Sequence, residues 1–359
     1  YIIGTYLCSK GDGWPMAILK CKMCGGTLDY DRTQDLAVCP YCGSKSTVFD
    51  HDQKLFEQFK NQYAALLNRT PEAPLEEGFW VEASREELVR EDGEHIEIAY
   101  LTKRRADLCT LYVARRHIIY VFEPQYADYA ARYKEMTAQI TYPNPEMERE
   151  LSVYVPKLVT ECRLLGGSIF LAIEKKENVY PLKMLGTLIP RHVAWIISRL
   201  ENLCCLLDYN DMVLNALTAD NLFVDTANHQ LYLYGGWWFA GFQGAKVTGV
   251  SESVQSCLEK TDNGHHGSGH SNRNLTATDL RSIRLLAAKL LGYPDRKSLQ
   301  ELSSTQDKIL PNPFLQFLLA EPKRDAAADF AEWDRVLLES YGERKFIPLA
   351  MTEEEIYSK

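Results

Sequence analysis

Residues 213–224 read VLNALTADNLFV, and after Asp225 a polar turn, TANHQ (226–230), leads into LYLYGG (231–236). Two short apolar, β-favouring runs flank the turn formers, which predicts a strand–turn–strand unit. Upstream, Val193, Ile196, Ile197, Leu200, Leu203, Cys204 and Leu207 recur at helical spacing. They form one wide apolar stripe, as a core helix requires. Further back, HIIYVF (117–122) and SIFLAIEKK (168–176) read as strands. The front of the body is therefore strand-rich and the back helical, which predicts an α+β fold in two lobes.

Composition narrows the function. The chain has 359 residues, 46% of them hydrophobic, and a formal net charge of -9. That length sustains a sizeable core and a small accessory module. The negative balance argues against general nucleic-acid affinity, which needs Lys and Arg to neutralise phosphates. No apolar run is long enough to span a bilayer, so no membrane association is expected. The first 15 residues lack the basic start and small-residue cleavage pattern of a signal peptide. Of ten cysteines, six are scattered, a usage that fits a reducing cytoplasm better than a disulfide-stapled secreted protein.

The decisive stretch resembles the protein-kinase family. That family's catalytic loop reads H-R-D-L-x-x-x-N and its metal-binding strand ends in D-F-G. On this pattern the His falls at Leu214, the Arg at Asn215 and the catalytic Asp at Ala216. Leu217 matches the Leu, Asn221 the metal-binding Asn, Tyr234 the D-F-G Asp and Gly236 its Gly. Asp279, in TDLRSI (278–283), stands where the family places a buried Asp at the start of a large-lobe helix. The departures remove the chemistry. Phosphoryl transfer needs a carboxylate for the substrate hydroxyl and another for magnesium. Ala216 accepts no proton, and Tyr234 is a poor ligand for an ion that favours carboxylate and phosphate oxygens. No Gly-rich loop precedes the strands, and HIIYVF, read as the third strand, carries no Lys. Lys103, Arg104 and Arg105 read as a solvated turn. Asn221 is left as a degenerate nucleotide or metal contact, or simply as a loop cap. An atypical phosphotransferase would need Asp220 or Asp225 as a substitute base. The expected reading is a pseudokinase, without Mg-ATP and with no catalytic residue.

Near the N-terminus, Cys21-x-x-Cys24 and Cys39-x-x-Cys42 are separated by 14 residues. Two such turns place four thiolates around a tetrahedral zinc with Zn–S near ~2.3 Å. The four sulfurs close the coordination shell and leave no place for a catalytic water, so one structural zinc per chain is expected. A rubredoxin-type iron centre would use the same ligands. The module resembles a zinc ribbon. Within 18–50, Lys20, Lys22, Arg32 and Lys45 are balanced by Asp29, Asp31, Asp35 and Asp50, so a protein contact is favoured over nucleic acid.

The implied organisation is a flexible N-terminus (1–18), the zinc ribbon (19–48), a helix and linker (49–77), a kinase-like small lobe (78–176), a large lobe (177–350) and a C-terminal tail (351–359). Leu55, Phe59, Tyr63, Leu66 and Leu67 support the connector helix. The polar run 260–274 reads as a loop, and its His265, His266 and His270 as solvated rather than metal-binding. GGWWFAG (235–241) reads as aromatic packing that plugs the cleft. Together these features predict a bacterial-type cytoplasmic signalling adaptor acting through protein partners of unspecified identity. A nucleic-acid-associated ribbon protein is the further alternative. Metal analysis should find one zinc per chain. A Cys39→Ala variant should lose it and unfold residues 19–48 while the body stays folded, because binding energy of about 10–16 kcal/mol is folding energy in such modules.

Overall fold

The computed structural model describes residues 29–31, 36–47, 80, 83–258, 273–303, 310–343, 346–349 and 351–357. The chain divides into two units, Tyr1–Glu76 and Glu77–Lys359. In the first, β1 (Asp29–Asp31), β2 (Leu36–Val38) and β3 (Lys45–Thr47) form an antiparallel sheet in that order. The β2–β3 turn carries Cys39 and Cys42. The Gly43 amide donates to the Cys39 carbonyl at 2.9 Å, and the Cys39 amide donates to the Ser44 carbonyl at 2.9 Å. Gly43 takes a left-handed φ of 72°, a conformation that costs glycine little. Cys21, Cys24 and the connector helix expected at 51–68 lie outside the described residues.

The second unit begins with a hairpin, β4 (Ser84–Val89) and β5 (His95–Tyr100). Next come β6 (Thr102–Ala106), β7 (Cys109–Val113), β8 (His117–Phe122), β9 (Leu158–Arg163) and β10 (Ile169–Glu174). They build one antiparallel sheet in the order β6-β7-β8-β10-β9. Alternate side chains point to opposite faces. Leu111, Ile118, Tyr120, Phe122, Leu171 and Ile173 thus join the main core, while Tyr112, Ile119, Phe170 and Ala172 form a second cluster with Ile98 of the hairpin. At β8 and β10 both faces are covered, which is why those two strands read as near-continuous apolar runs. Between β8 and β9 stand α1 (Ala127–Ala138) and α2 (Pro145–Leu151). Ala130, Tyr133 and Met136, spaced by three, are the buried stripe of α1.

The rest is mainly helical. β11 (Tyr180–Pro181) precedes α3 (Pro190–Tyr209), whose seven predicted stripe residues are all buried. β12 (Met212–Val213), β13 (Leu222–Asp225), β14 (Gln230–Leu233) and β15 (Gly241–Phe242) follow. β13 and β14 pair as the expected strand–turn–strand, with Leu222 opposite Leu233. The helices α4 (Thr276–Leu290), α5 (Arg296–Ser303), α6 (Asn312–Leu319) and α7 (Ala326–Tyr341) complete the helical half. Residues 351–359 were expected as a tail, yet α8 (Glu353–Tyr357) forms there. Its Ile356 is buried, and Tyr357 meets Tyr180 and Trp80 edge-on.

Where α3, α4 and α7 meet, Trp333 donates from Nε1 to Ser198 Oγ at 2.8 Å. Beside it, Arg284 pairs with Asp329 at 2.7 Å and stands 3.9 Å from Glu201, all three buried. Burial, and then the charge of Asp329, hold the Glu201 carboxyl well above the ordinary carboxylate range. A carboxyl whose folded-state pKa is raised contributes stability that is full at low pH and lost as pH climbs from its unfolded value towards the folded one. Stability should therefore fall with rising pH above 4.5, the ordinary glutamate value. Glu201→Gln should flatten that decline in urea titrations at successive pH values. Arg284→Met, which strands Asp329, should cost about 3–5 kcal/mol.

Candidate functional site

The loop 214–221 is held from below by one carboxylate. Asp279, in the first turn of α4, accepts the Leu214 amide on Oδ2 at 2.6 Å and the Asn215 amide on Oδ1 at 3.0 Å. Burial raises its pKa to about 7 against the opposing pull of those two amides. Asn215 adopts a left-handed φ of 62°, which Asn tolerates better than most residues. Its Nδ2 donates to the Phe239 carbonyl at 3.1 Å and to Asn274 Oδ1 at 2.7 Å. Asn274, expected in a polar loop, is thus fully buried and structural.

Asn221 pins the other end. Its Nδ2 donates to the Ala216 carbonyl at 3.0 Å, and its own carbonyl accepts the amides of Tyr234 and Gly235 at 3.1 and 3.2 Å. This is the work of a loop-fixing residue. Ala216 is buried against Gly236, where an added Cβ would lie 2.8 Å from the Ala216 Cβ. Tyr234 is buried between Phe223 and a stacked Tyr232, with centroids at 5.1 and 5.6 Å. The structure therefore brings Leu214, Asn215, Ala216, Leu217, Asn221, Tyr234 and Gly236 into one buried cluster.

Aromatic side chains fill the space between that cluster and the sheet. Trp238 packs edge-on against Tyr120 and Phe122 of β8, at 5.1 and 5.3 Å, and stacks on Tyr133 of α1 at 6.2 Å. Tyr133 donates its hydroxyl to the Tyr234 carbonyl at 2.9 Å. Arg132, one residue earlier, donates to the Ala240 carbonyl through Nε at 3.0 Å and through Nη2 at 2.5 Å. Trp237 donates from Nε1 to the Leu233 carbonyl at 3.3 Å. Both tryptophans are fully buried. Sequence reasoning anticipated the tryptophans but missed Tyr120 and Tyr133. An unpaired Tyr inside an apolar strand was the available signal.

The cationic run 103–105 forms part of strand β6 and is no solvated turn. Alternation sends Arg104 inward, where its guanidinium pairs with the Asp220 carboxylate and donates to the Asp220 carbonyl at 3.2 Å. Lys183 adds bonds of 2.9 and 3.1 Å to the same carboxylate. Asp225 caps the β13–β14 turn through the amides of Ala227 and Asn228, each at 3.1 Å. Both carboxylates weighed as substitute bases are thus engaged elsewhere. The β6–β7 connection is Asp107–Leu108 alone, since Ala106 already pairs with Cys109. Ser251 donates to Asp107 Oδ1 at 2.9 Å.

In the first unit, Cys39 is buried and Cys42 exposed, with Cys42 Sγ 3.1 Å from Ser44 Oγ. They are two of the four expected metal donors. Cys21 and Cys24, like His265, His266 and His270, lie outside the described residues.

No family model matches the chain, and no curated protein does. Among solved structures, vaccinia related kinase 3 aligns at 16% identity over 71% of this chain and 91% of its own, with a TM-score of 0.45. The ROP18 kinase domain, solved with AMP-PNP and sucrose, aligns at 12% identity over 72% and 86%, with a TM-score of 0.44. A rhoptry kinase from Toxoplasma gondii aligns at 14% identity over 72% and 84%, with a TM-score of 0.46. At these values nothing about ligands or activity passes to this chain.

The tightest point of the cluster is Gly235. A Cβ there would lie 2.3 Å from Asn221 Oδ1 and 2.6 Å from the Tyr120 hydroxyl. Gly235→Ala should therefore destabilise the protein by about 1–3 kcal/mol, the usual range for overpacking, as read by chemical denaturation.

Proposed function

We propose that the second unit is a protein-kinase-like frame that has given up phosphoryl transfer and serves, with the N-terminal zinc ribbon, as a signalling adaptor acting through protein contacts. The frame is supported by this chain's own geometry. A five-stranded antiparallel sheet carries one helix, a single strand leads from it into the helical half, and a buried Asp grips the loop between α3 and β13. The inert reading rests above all on the aromatic block. Kinase chemistry needs a Lys on the third strand ion-paired with a Glu on the adjacent helix, a Gly-rich loop over the phosphates and two metal-binding positions. Here the facing pair on β8 and α1 is Tyr120 and Tyr133, with Trp238 between them and the 234–239 segment. A two-residue turn stands where a phosphate-covering loop would be needed. The phosphotransferase alternative loses ground because Asp220 and Asp225 are already bonded to Lys183, Arg104 and turn amides. The nucleic-acid alternative is opposed by the net charge of -9.

In the ribbon, Cys21, Cys24, Cys39 and Cys42 would hold zinc as four thiolates. The metal would supply folding energy and no reaction. The β2–β3 turn presents Tyr41 at 76% exposure, an aromatic of the kind that protein interfaces favour. Buried thiols at Cys109, Cys204 and Cys257 suit a reducing cytoplasm.

Isothermal titration with Mg-ATP should give no binding heat at millimolar nucleotide. Saturable Mg-ATP binding, or autophosphorylation abolished by a cleft substitution, would overturn the reading.

A further inference from the structure

Outside the aromatic block, the helical half carries an open groove of about 430 Å³. Four separate parts of the chain line it: the segment after β11, the loop 217–220, the short 3₁₀ segment Glu252–Cys257 and one face of α4. Its floor is apolar, with Leu217, Val254, Leu286 and Leu290 all buried. Its polar lining is uneven: Thr187, Ser253 and Ser282 add hydroxyls beside two lysines and one carboxylate. Asp220 is the one carboxylate, and Lys183 and Arg104 already engage it. Lys289, in the last turn of α4, is exposed and makes no ion pair among the described residues. Thr218 also lines the groove. It is only 5% exposed, and its Oγ1 has no hydrogen-bond partner. A buried hydroxyl left unpaired costs free energy, so a group that bonds to it is favoured.

These features describe a ligand. A concave site of this volume, with an apolar floor and convergent polar groups, is a usual form of a small-molecule site. Among the lining residues two lysines face one carboxylate, a positive balance in a chain whose net charge is -9. We infer that the groove binds a small organic anion with an apolar body, of the short-chain or aryl carboxylate class. Its apolar part rests on Leu217, Val254 and Leu286, its anionic head faces Lys289, and the Thr218 hydroxyl donates to one of its oxygens. This inference stands apart from the inert reading of the cleft, because the aromatic block contributes no residue to the groove.

The full-length protein, titrated with anilinonaphthalene sulfonate and followed by fluorescence, tests it. One probe should bind per chain, displaced by octanoate but not by octanol at equal concentration. Lys289→Glu should weaken the probe by roughly tenfold or more, the effect of about 1.4 kcal/mol, and Lys289→Gln by less. Thr218→Val should weaken octanoate several-fold. Lys289 is exposed, so both Lys289 variants should melt like the wild type by circular dichroism. Undiminished binding by a folded Lys289→Glu protein would overturn the proposal. So would equal competition by octanol, or probe bound at many sites that octanoate does not displace.

Discussion

The grip of the Asp279 carboxylate on two consecutive backbone amides is the constraint around which the helical half is arranged. A buried carboxylate is costly unless its oxygens find donors. Here the donors are main-chain amides at the start of loop 214–221, so the cost of burial is offset only if that loop adopts one conformation. The left-handed Asn215, the Asn221 bond to the Ala216 carbonyl and the close approach of Gly236 all follow from that conformation. The loop in turn sets β13 and β14, and these present the Tyr234 carbonyl to the Tyr133 hydroxyl. One acidic side chain in α4 is thereby linked, through the loop and these strands, to a contact on α1.

Much of this was legible in the sequence because it is local. The stripe from Val193 to Leu207 declares its buried face by spacing alone. The strand–turn–strand at 222–233 is announced by turn formers between two apolar runs. GGWWFAG advertised its packing because two adjacent tryptophans are hard to leave in water. What stayed hidden depends on pairs distant in sequence. Nothing in KRR at 103–105 reveals that strand alternation will send Arg104 inward to an aspartate more than a hundred residues away. Tyr120 and Tyr133 are each unremarkable alone, and their meaning lies in meeting across strand and helix. At α8, Glu353, Glu354 and Glu355 read as an exposed helix face, but nothing in them marks the turn as packed against the body. Its one buried residue, Ile356, is invisible to periodicity over so short a span.

In the proposed reading, the candidate site is a reaction centre converted into a core. Removing two carboxylates would leave apolar walls around empty space, and a domain interior does not keep such voids cheaply. Trp238, Tyr120, Phe122 and Tyr133 occupy that space with edge-on and stacked contacts, a geometry that aromatic rings favour. In the proposed frame, stability has been gained where turnover would have required an open, hydrated cavity.

Helix α1 is tied to the 234–240 segment twice, through Tyr133 to the Tyr234 carbonyl and through Arg132 to the Ala240 carbonyl. Arg104 and Lys183 converge on Asp220 as a third fastening. A signalling domain whose helix can swing spends part of each binding event on selecting the competent arrangement. In the proposed adaptor, these bonds would hold the helix in one arrangement. A partner would meet a surface already set, lose little to reorganisation, and find its association governed by encounter rather than by waiting for the protein to change shape.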